Sequence, residues 1–246
     1  MYRVNLKDVE AAARRLEDVS LCSPLTVNDT QSREFGSSIF FKREDLQQVR
    51  SYKIRGAYNK ISCIPEADLK KGVVCASAGN HAQGVALAAQ ILGIKATIFM
   101  PEGATLPKYQ ATLGYGADVI FSGKTIDEAL MAASAFSDET GAVFIHPFDH
   151  EHIVAGQGTM GLEILAQNPD VKTVLVCTGG GGLLAGTALA IKSLRPDIKV
   201  IGVQAEMAAA YPPSLAAGSP QMLPKMSTMA DGIAVGKPGD VPFKII

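Results

Sequence analysis

The sequence predicts an α/β protein made of two parallel-sheet domains, and two observations carry that prediction. Short continuous apolar runs such as Val73–Ala76, Ala96–Met100 and Thr173–Cys177 alternate with helix-length segments, as strands covered on both faces and joined by crossover helices do. Two of these runs lead into loops of small or polar residues, 77–81 and 179–182, which is where open α/β sheets bind ligands. At 246 residues and 47% hydrophobic content, the chain can bury cores of this kind.

Residues 1–20, with Asp8, Glu10, Glu17 and Asp18 on a helical period, read as an amphipathic helix rather than a signal peptide. Residues 39–42 form a short β-rich run and 55–64 have helical period. Val73–Ala76 is a strand, and 81–92 is a helix closed by Gly93. Ala96–Met100 is a strand stopped by Pro101. Segments 105–113 (helix), Asp118–Phe121 (strand), 126–136 (helix) and 142–145 (strand) continue the alternation. A second series has helix 153–167, strand Thr173–Cys177, helix 183–194 and strand 200–203, with the turn at 147–150 as the crossing point. The expected division is a small α/β domain over 47–150 and a large cofactor-binding domain over 1–46 plus 151–246. Proline and glycine punctuate the chain after residue 208. The final Phe243-Lys244-Ile245-Ile246 reads as an element cut in its first turn.

A net charge of −1 gives no electrostatic reason for a nucleic-acid or anionic-membrane partner. No apolar run approaches the roughly 20 residues needed to span a bilayer. Cys22, Cys63, Cys75 and Cys177 are dispersed and make no metal-binding pattern. Reduced thiols in a cytoplasmic protein are the expectation, with no metal.

Three segments point to chemistry. Lys53 lies among Arg43, Arg50 and Arg55 and reads alone as part of a solvated basic face. With Tyr52 and Ile54 beside it and Gly56-Ala57 opening a helix, it also suits a desolvated amine, small residues letting the backbone pass close to a flat ring. In 77–81, Ser77 or Asn80 is placed to cap the following helix, whose free amides beside Ala78 and Gly79 suit a carboxylate. Asn80 can also donate to a phenolic oxygen, and His81 reads equally as structural or as a neighbour of the site. Gly179, Gly180, Gly181 and Gly182, ahead of Leu183, have little purely structural justification and suit a phosphate. A side chain at Gly181 is accordingly expected to harm phosphate binding more than stability. The competing reading is that Gly180 to Ala185 fits the G-x-G-x-x-A dinucleotide fingerprint, with Glu206 near the distance for a ribose contact. A P-loop is excluded, because no Gly-Lys-Ser/Thr follows. An amine, ring and carboxylate donors, and a phosphate cradle are together what pyridoxal phosphate requires.

These segments resemble the fold-type II pyridoxal phosphate enzymes, whose architecture is like the tryptophan synthase β subunit, and within them the biosynthetic threonine dehydratases. The likeness rests on Lys42-Arg43-Glu44-Asp45-Leu46-Gln47 leading to Ser51-Tyr52-Lys53-Ile54-Arg55-Gly56-Ala57-Tyr58-Asn59, and on the run from Ser77 to Ala86. Pro147-Phe148-Asp149, Ala155-Gly156-Gln157-Gly158-Thr159 and the four glycines follow in the family's order. The resemblance implies Lys53 as the Schiff-base lysine, Tyr52 against the cofactor and Asn80 on the ring oxygen. It puts Gly179, Gly180, Gly181, Gly182 and Leu183 around the phosphate, and Ser77, Ala78, Gly79 and His81 around the substrate. It implies α,β-elimination from L-threonine, and secondarily L-serine, in a homo-oligomer. Related serine racemases carry a serine where this chain has Ala78, so elimination is favoured over racemisation. Gln204 and Ala210 stand where some relatives have acidic metal ligands. The family's catalytic unit continues past Ile246, where the partner of the pyridine nitrogen and further strands are expected, so the large domain here is incomplete.

Overall fold

The computed structural model describes residues 4–246. In chain order its elements are helix α1 (Leu6–Arg15), strand β1 (Leu25–Val27), α2 (Asp29–Phe35), β2 (Phe40–Lys42), α3 (Lys53–Ser62), α4 (Glu66–Leu69) and β3 (Val73–Ala76). They continue with α5 (Asn80–Leu92), β4 (Ala96–Met100), α6 (Leu106–Gly114), β5 (Asp118–Phe121), α7 (Ile126–Thr140), β6 (Val143–Phe144) and α8 (Glu151–Gln167). Last come β7 (Thr173–Cys177), α9 (Gly182–Leu194), β8 (Lys199–Val203), α10 (Tyr211–Ala217) and α11 (Asp240–Ile245). The first three residues, part of the expected N-terminal helix, lie outside the described ones.

Helix ends follow local chemistry. Capping boxes start α1 (Asn5 with Asp8) and α7 (Thr125 with Glu128), and Gly93 and Gly141 close α5 and α7 in the left-handed conformation.

The central sheet has the order β5-β4-β3-β6, all parallel. It is covered on both faces, as the apolar runs predict. On β3, Val73 and Cys75 join the core that holds Val85 and Leu87 of α5 and Ile54 of α3. Val74 and Ala76 join Ala129 and Ala133 of α7.

Two expectations fail outside this sheet. The run at 39–42 does not enter a parallel sheet: Phe40 to Lys42 pair antiparallel with Leu25 to Val27, a strand too short to show a period. The parallel pair β7–β8 is covered on one face only. Val174 and Val176 are buried with Leu183, Leu184 and Ile191, whereas Leu175, Cys177, Ile201 and Val203 are exposed among the described residues.

α3 joins the central sheet to the second series, because it packs on both α5 and α8. The α3–α8 crossing is close: a Cβ on Gly156 would collide with the Arg55 carbonyl, and one on Gly56 with the Gln157 side chain. Gly56 therefore serves helix contact, not the approach of a ring. Gly158 and Gly186 do the same where α8 crosses α9, each leaving no room for a Cβ beside the other's backbone.

The same crossing buries a charge cluster. Arg55, with no exposed surface, donates to both Glu44 oxygens at 2.8 Å, to Glu163 at 2.6 Å, to the Thr159 hydroxyl at 3.1 Å and to the Leu21 carbonyl at 3.1 Å. Lys42 completes it through Glu163 Oε2 at 2.5 Å and the Ser23 carbonyl at 2.6 Å. Burial opposes ionisation of both partners, but the ion pair prevails: Arg55 is held above its ordinary pKa and Glu44 below the usual carboxylate range.

Arg55→Met, which strands the buried Glu44 carboxylate and leaves Glu163 with Lys42 alone, is expected to lower stability by about 3–5 kcal/mol in urea unfolding. Because the Glu44 pKa is depressed by folding, its contribution is present above the ordinary glutamate pKa and lost as pH falls through the lowered value. The wild-type chain should therefore lose more stability on acidification than Arg55→Met does. Equal acid sensitivity of the two would contradict the account.

Candidate functional site

Lys53 is the first residue of α3, not a residue ahead of the helix, and its amine donates to the Pro147 carbonyl at 2.9 Å. No carboxylate faces it within ion-pair distance among the described residues. Burial therefore acts almost alone on this amine, and its pKa is pulled down to about 8. The Tyr52 ring lies 5.2 Å from Nζ, and burial pushes the Tyr52 phenol up to about 12. A Cβ on Gly84 of α5 would crowd the Cβ and backbone of Lys53, so α5 approaches this residue closely.

Lys53 and Tyr52 line one cleft together with Gly179, Gly180, Gly181, Gly182 and Leu183. The lysine and the glycine loop, far apart in sequence, thus share a site. The backbone amides of residues 179–184 donate to no protein acceptor among the described residues. Six amides without a protein acceptor at the start of α9 suit a phosphate group.

The glycines nevertheless have a structural justification that the sequence concealed. A Cβ on Gly180 would overlap the Phe148 ring, one on Gly182 would press on the Phe148 backbone, and one on Gly179 would crowd Val235 and Ile233. Gly181 has φ +99°, and the Tyr211 hydroxyl occupies the place of its Cβ. The expectation that a side chain at Gly181 would spare stability is corrected on that ground: protein packing forbids it as firmly as a ligand could.

In the loop after β3, Ser77 continues the sheet by donating its amide to the Phe99 carbonyl. Its hydroxyl accepts from the Gly79 amide at 3.1 Å. The cap of α5 is Gly79, not Ser77 or Asn80, and no side chain caps this helix. The amides of Ala78, Asn80, His81 and Ala82 have no protein acceptor among the described residues, the property a carboxylate site needs. The His81 ring is buried and its Nε2 bonds the Ile145 carbonyl at 2.8 Å. Burial, with Lys53 nearby, lowers the His81 pKa to about 3, so the ring is neutral. Asn80 is exposed and does not line the cleft itself. Its side-chain nitrogen is 4.0 Å from where Gly232, which does line it, would carry a Cβ.

Phe148, Cys177, Thr178, Leu184, Gly232 and Val235 also line the cleft. Of these, the segment around Gly232 was invisible to periodicity. It reaches the central-sheet side through Asp231, which accepts from Lys108 of α6 at 2.5 Å, and the Asp-Gly pair was the available signal. Glu206, the ribose partner in the dinucleotide reading, lies on a turn after β8 and does not line the cleft. Of the cysteines, Cys22 and Cys177 are exposed and Cys75 is buried.

Residues 21–246 match the family described as pyridoxal-phosphate dependent enzyme. The chain is 50% identical over 243 residues to an L-threonine ammonia-lyase of Thermotoga maritima, covering 99% of this chain and 61% of that protein. Other relatives are named as biosynthetic and as catabolic L-threonine dehydratases. Among solved structures, the processed form of threonine deaminase isoform 2 from Solanum lycopersicum superposes with a TM-score of 0.94 at 41% identity, over 100% of this chain and 70% of that one. Maize serine racemase superposes with a TM-score of 0.96 at 35% identity, over 99% and 74%. The chain spans only 54% to 61% of the length of the first curated relatives it matches. The family match over residues 21–246 covers both Lys53 and the unpaired amides of the glycine loop, which line one cleft, and the chain belongs to the pyridoxal-phosphate dependent enzyme family.

Proposed function

We propose that this chain carries the site of a pyridoxal phosphate-dependent ammonia-lyase. Its reaction is α,β-elimination of L-threonine to 2-oxobutanoate and ammonia, with L-serine as a secondary substrate giving pyruvate, as the first step of isoleucine biosynthesis. The single observation that carries the reading is that the Lys53 amine and the unpaired amides of residues 179–184 line the same cleft. The names of the similar proteins support the substrate class.

The cofactor, when bound, supplies an aldehyde for amine capture and an electron sink that acidifies Cα of an amino acid. The protein's part is positional and protolytic. Amides 179–184 suit the phosphate, and Asn80 at the rim is the donor proposed for the ring oxygen. The amides of Ala78, Asn80, His81 and Ala82 suit the substrate carboxylate. Lys53, with its pKa near 8, holds a sizeable neutral fraction at neutral to mildly alkaline pH and can accept the α-proton. Ala78 has no group that could return a proton from the other side, which favours elimination over racemisation. The reading extends to a cytoplasmic setting, supported by four free cysteines, and to a homo-oligomer of the longer protein, supported by the family resemblance. Residues 47–150 would then act as the small domain, closing on the remainder.

Lys53→Ala is expected to abolish covalent attachment of pyridoxal phosphate under borohydride while circular dichroism stays native. Cofactor still fixed in that variant would move the attachment point to another lysine. The sign of the pH dependence follows from the lowered pKa. Folding disfavours the Lys53 ammonium, so attachment in the wild type should rise with pH through a midpoint near 8, and stability should increase between that value and the ordinary lysine pKa. A midpoint at the ordinary lysine value would contradict the desolvation account.

Gly181→Ala should lower stability by about 1–3 kcal/mol as well as weakening cofactor binding, from the left-handed backbone and the Tyr211 hydroxyl. Adding Tyr211→Phe should recover part of the stability, as read by thermal unfolding of the double variant. No recovery would leave backbone strain as the whole cause.

A further inference from the structure

We infer that Asp149 is a positioning residue that holds the glycine loop in its phosphate-ready shape, an inference that rests on the cofactor reading above. The segment Pro147-Phe148-Asp149 touches both halves of the cleft: the Pro147 carbonyl accepts from Lys53 and the Phe148 ring backs Gly180, which leaves Asp149 without a part. His146 folds the segment tightly, its Nδ1 accepting from the amides of Phe148 at 3.2 Å and Asp149 at 2.7 Å. That turn lays the Phe148 ring on Gly180 and sends the Asp149 side chain the other way, behind the glycine loop.

There Asp149 Oδ1 accepts from the Val241 amide at 2.8 Å, in the first turn of α11, and its carboxylate is packed against Gly239 so closely that a Cβ on that glycine would meet it. Gly239 in turn donates its amide to the Gly180 carbonyl at 3.0 Å, and the Tyr211 hydroxyl reaches the same oxygen at 3.4 Å. The Gly180 carbonyl and the Gly181 amide belong to one trans peptide plane and point in opposite directions. Drawing the carbonyl back toward Gly239 therefore aims the Gly181 amide away from that segment, toward the cleft. Asp149 fixes the segment that does the drawing. It touches neither the cleft surface nor the Lys53 amine, so its effect falls on the phosphate end alone.

The test compares two probes, pyridoxal 5′-phosphate and pyridoxal, which share the ring and aldehyde and differ in the phosphate. Binding of each is titrated by absorbance, without substrate, to the wild type, Asp149→Ala, Asp149→Asn and Val241→Pro. Asparagine keeps an acceptor oxygen at the same place. Proline removes the donor in a first helical turn, where it is tolerated. The wild type should prefer the phosphorylated probe. Asp149→Ala and Val241→Pro should each reduce that preference about tenfold, the loss of one hydrogen bond to a charged group, with pyridoxal affinity unchanged. Asp149→Asn should keep it. An unchanged preference in Asp149→Ala and Val241→Pro, or an equal loss for both probes, overturns the proposal by reducing Asp149 to a general stabilising role. A wild type without preference overturns the phosphate cradle itself, a failure of the underlying reading distinguishable from the other two.

Discussion

The buried guanidinium of Arg55 is the interaction on which the rest of the structure depends. It fastens the start of α3 to the turn at Glu44 and to α8 through Glu163, and so fixes the helix whose first residue is Lys53. The two cations stand two residues apart and meet opposite fates. Arg55 is given two carboxylates and stays charged in a desolvated place. Lys53 is given one carbonyl oxygen and no counter-charge among the described residues, so desolvation drives it toward the neutral amine. Burial is common to both, and the partners decide which stays charged and which is driven toward the neutral form.

Around this hub the helices meet by backbone contact rather than by side-chain interdigitation. Gly56 and Gly156 bring α3 onto α8, Gly158 and Gly186 bring α8 onto α9, and Gly84 brings α5 onto Lys53. The helix starting at Lys53 and the helix starting at the glycine loop are therefore each clamped to α8, and the distance across the cleft is set by two helix crossings. Those crossings tolerate no added methyl group.

Much of this was legible in the sequence, and the illegible remainder has identifiable causes. The central sheet was readable because β3 and β4 are buried on both faces, so their apolar runs are unbroken. The pairing of β1 with β2 was not, because three-residue strands carry no period. Lys53 and the glycine run stood out because few residue types suit such chemistry, and the fold brings them to one cleft. The error lay in reading the glycines as free of structural duty, since the occupants of their Cβ positions, Phe148, Tyr211 and Val235, come from distant segments. The helix cap at Gly79 was missed because side-chain capping rules favour Ser77 and Asn80, while here the Ser77 hydroxyl serves the turn instead. The Arg55 cluster escaped because its partners, Lys42, Glu44, Thr159 and Glu163, are brought together only by the α3–α8 crossing.

The ring of Phe148 and the hydroxyl of Tyr211 fill the spaces behind Gly180 and Gly181, so the protein casts the loop from the back like a mould. A loop shaped in this way has its backbone entropy removed during folding rather than on association. In the anion site proposed at residues 179–184, binding would involve little reorganisation, and affinity would reflect how well the fixed amides match the anion. Selectivity among anions becomes a matter of size and geometry: a rigid cradle discriminates by shape, where a flexible glycine loop would adapt to any phosphate-like guest.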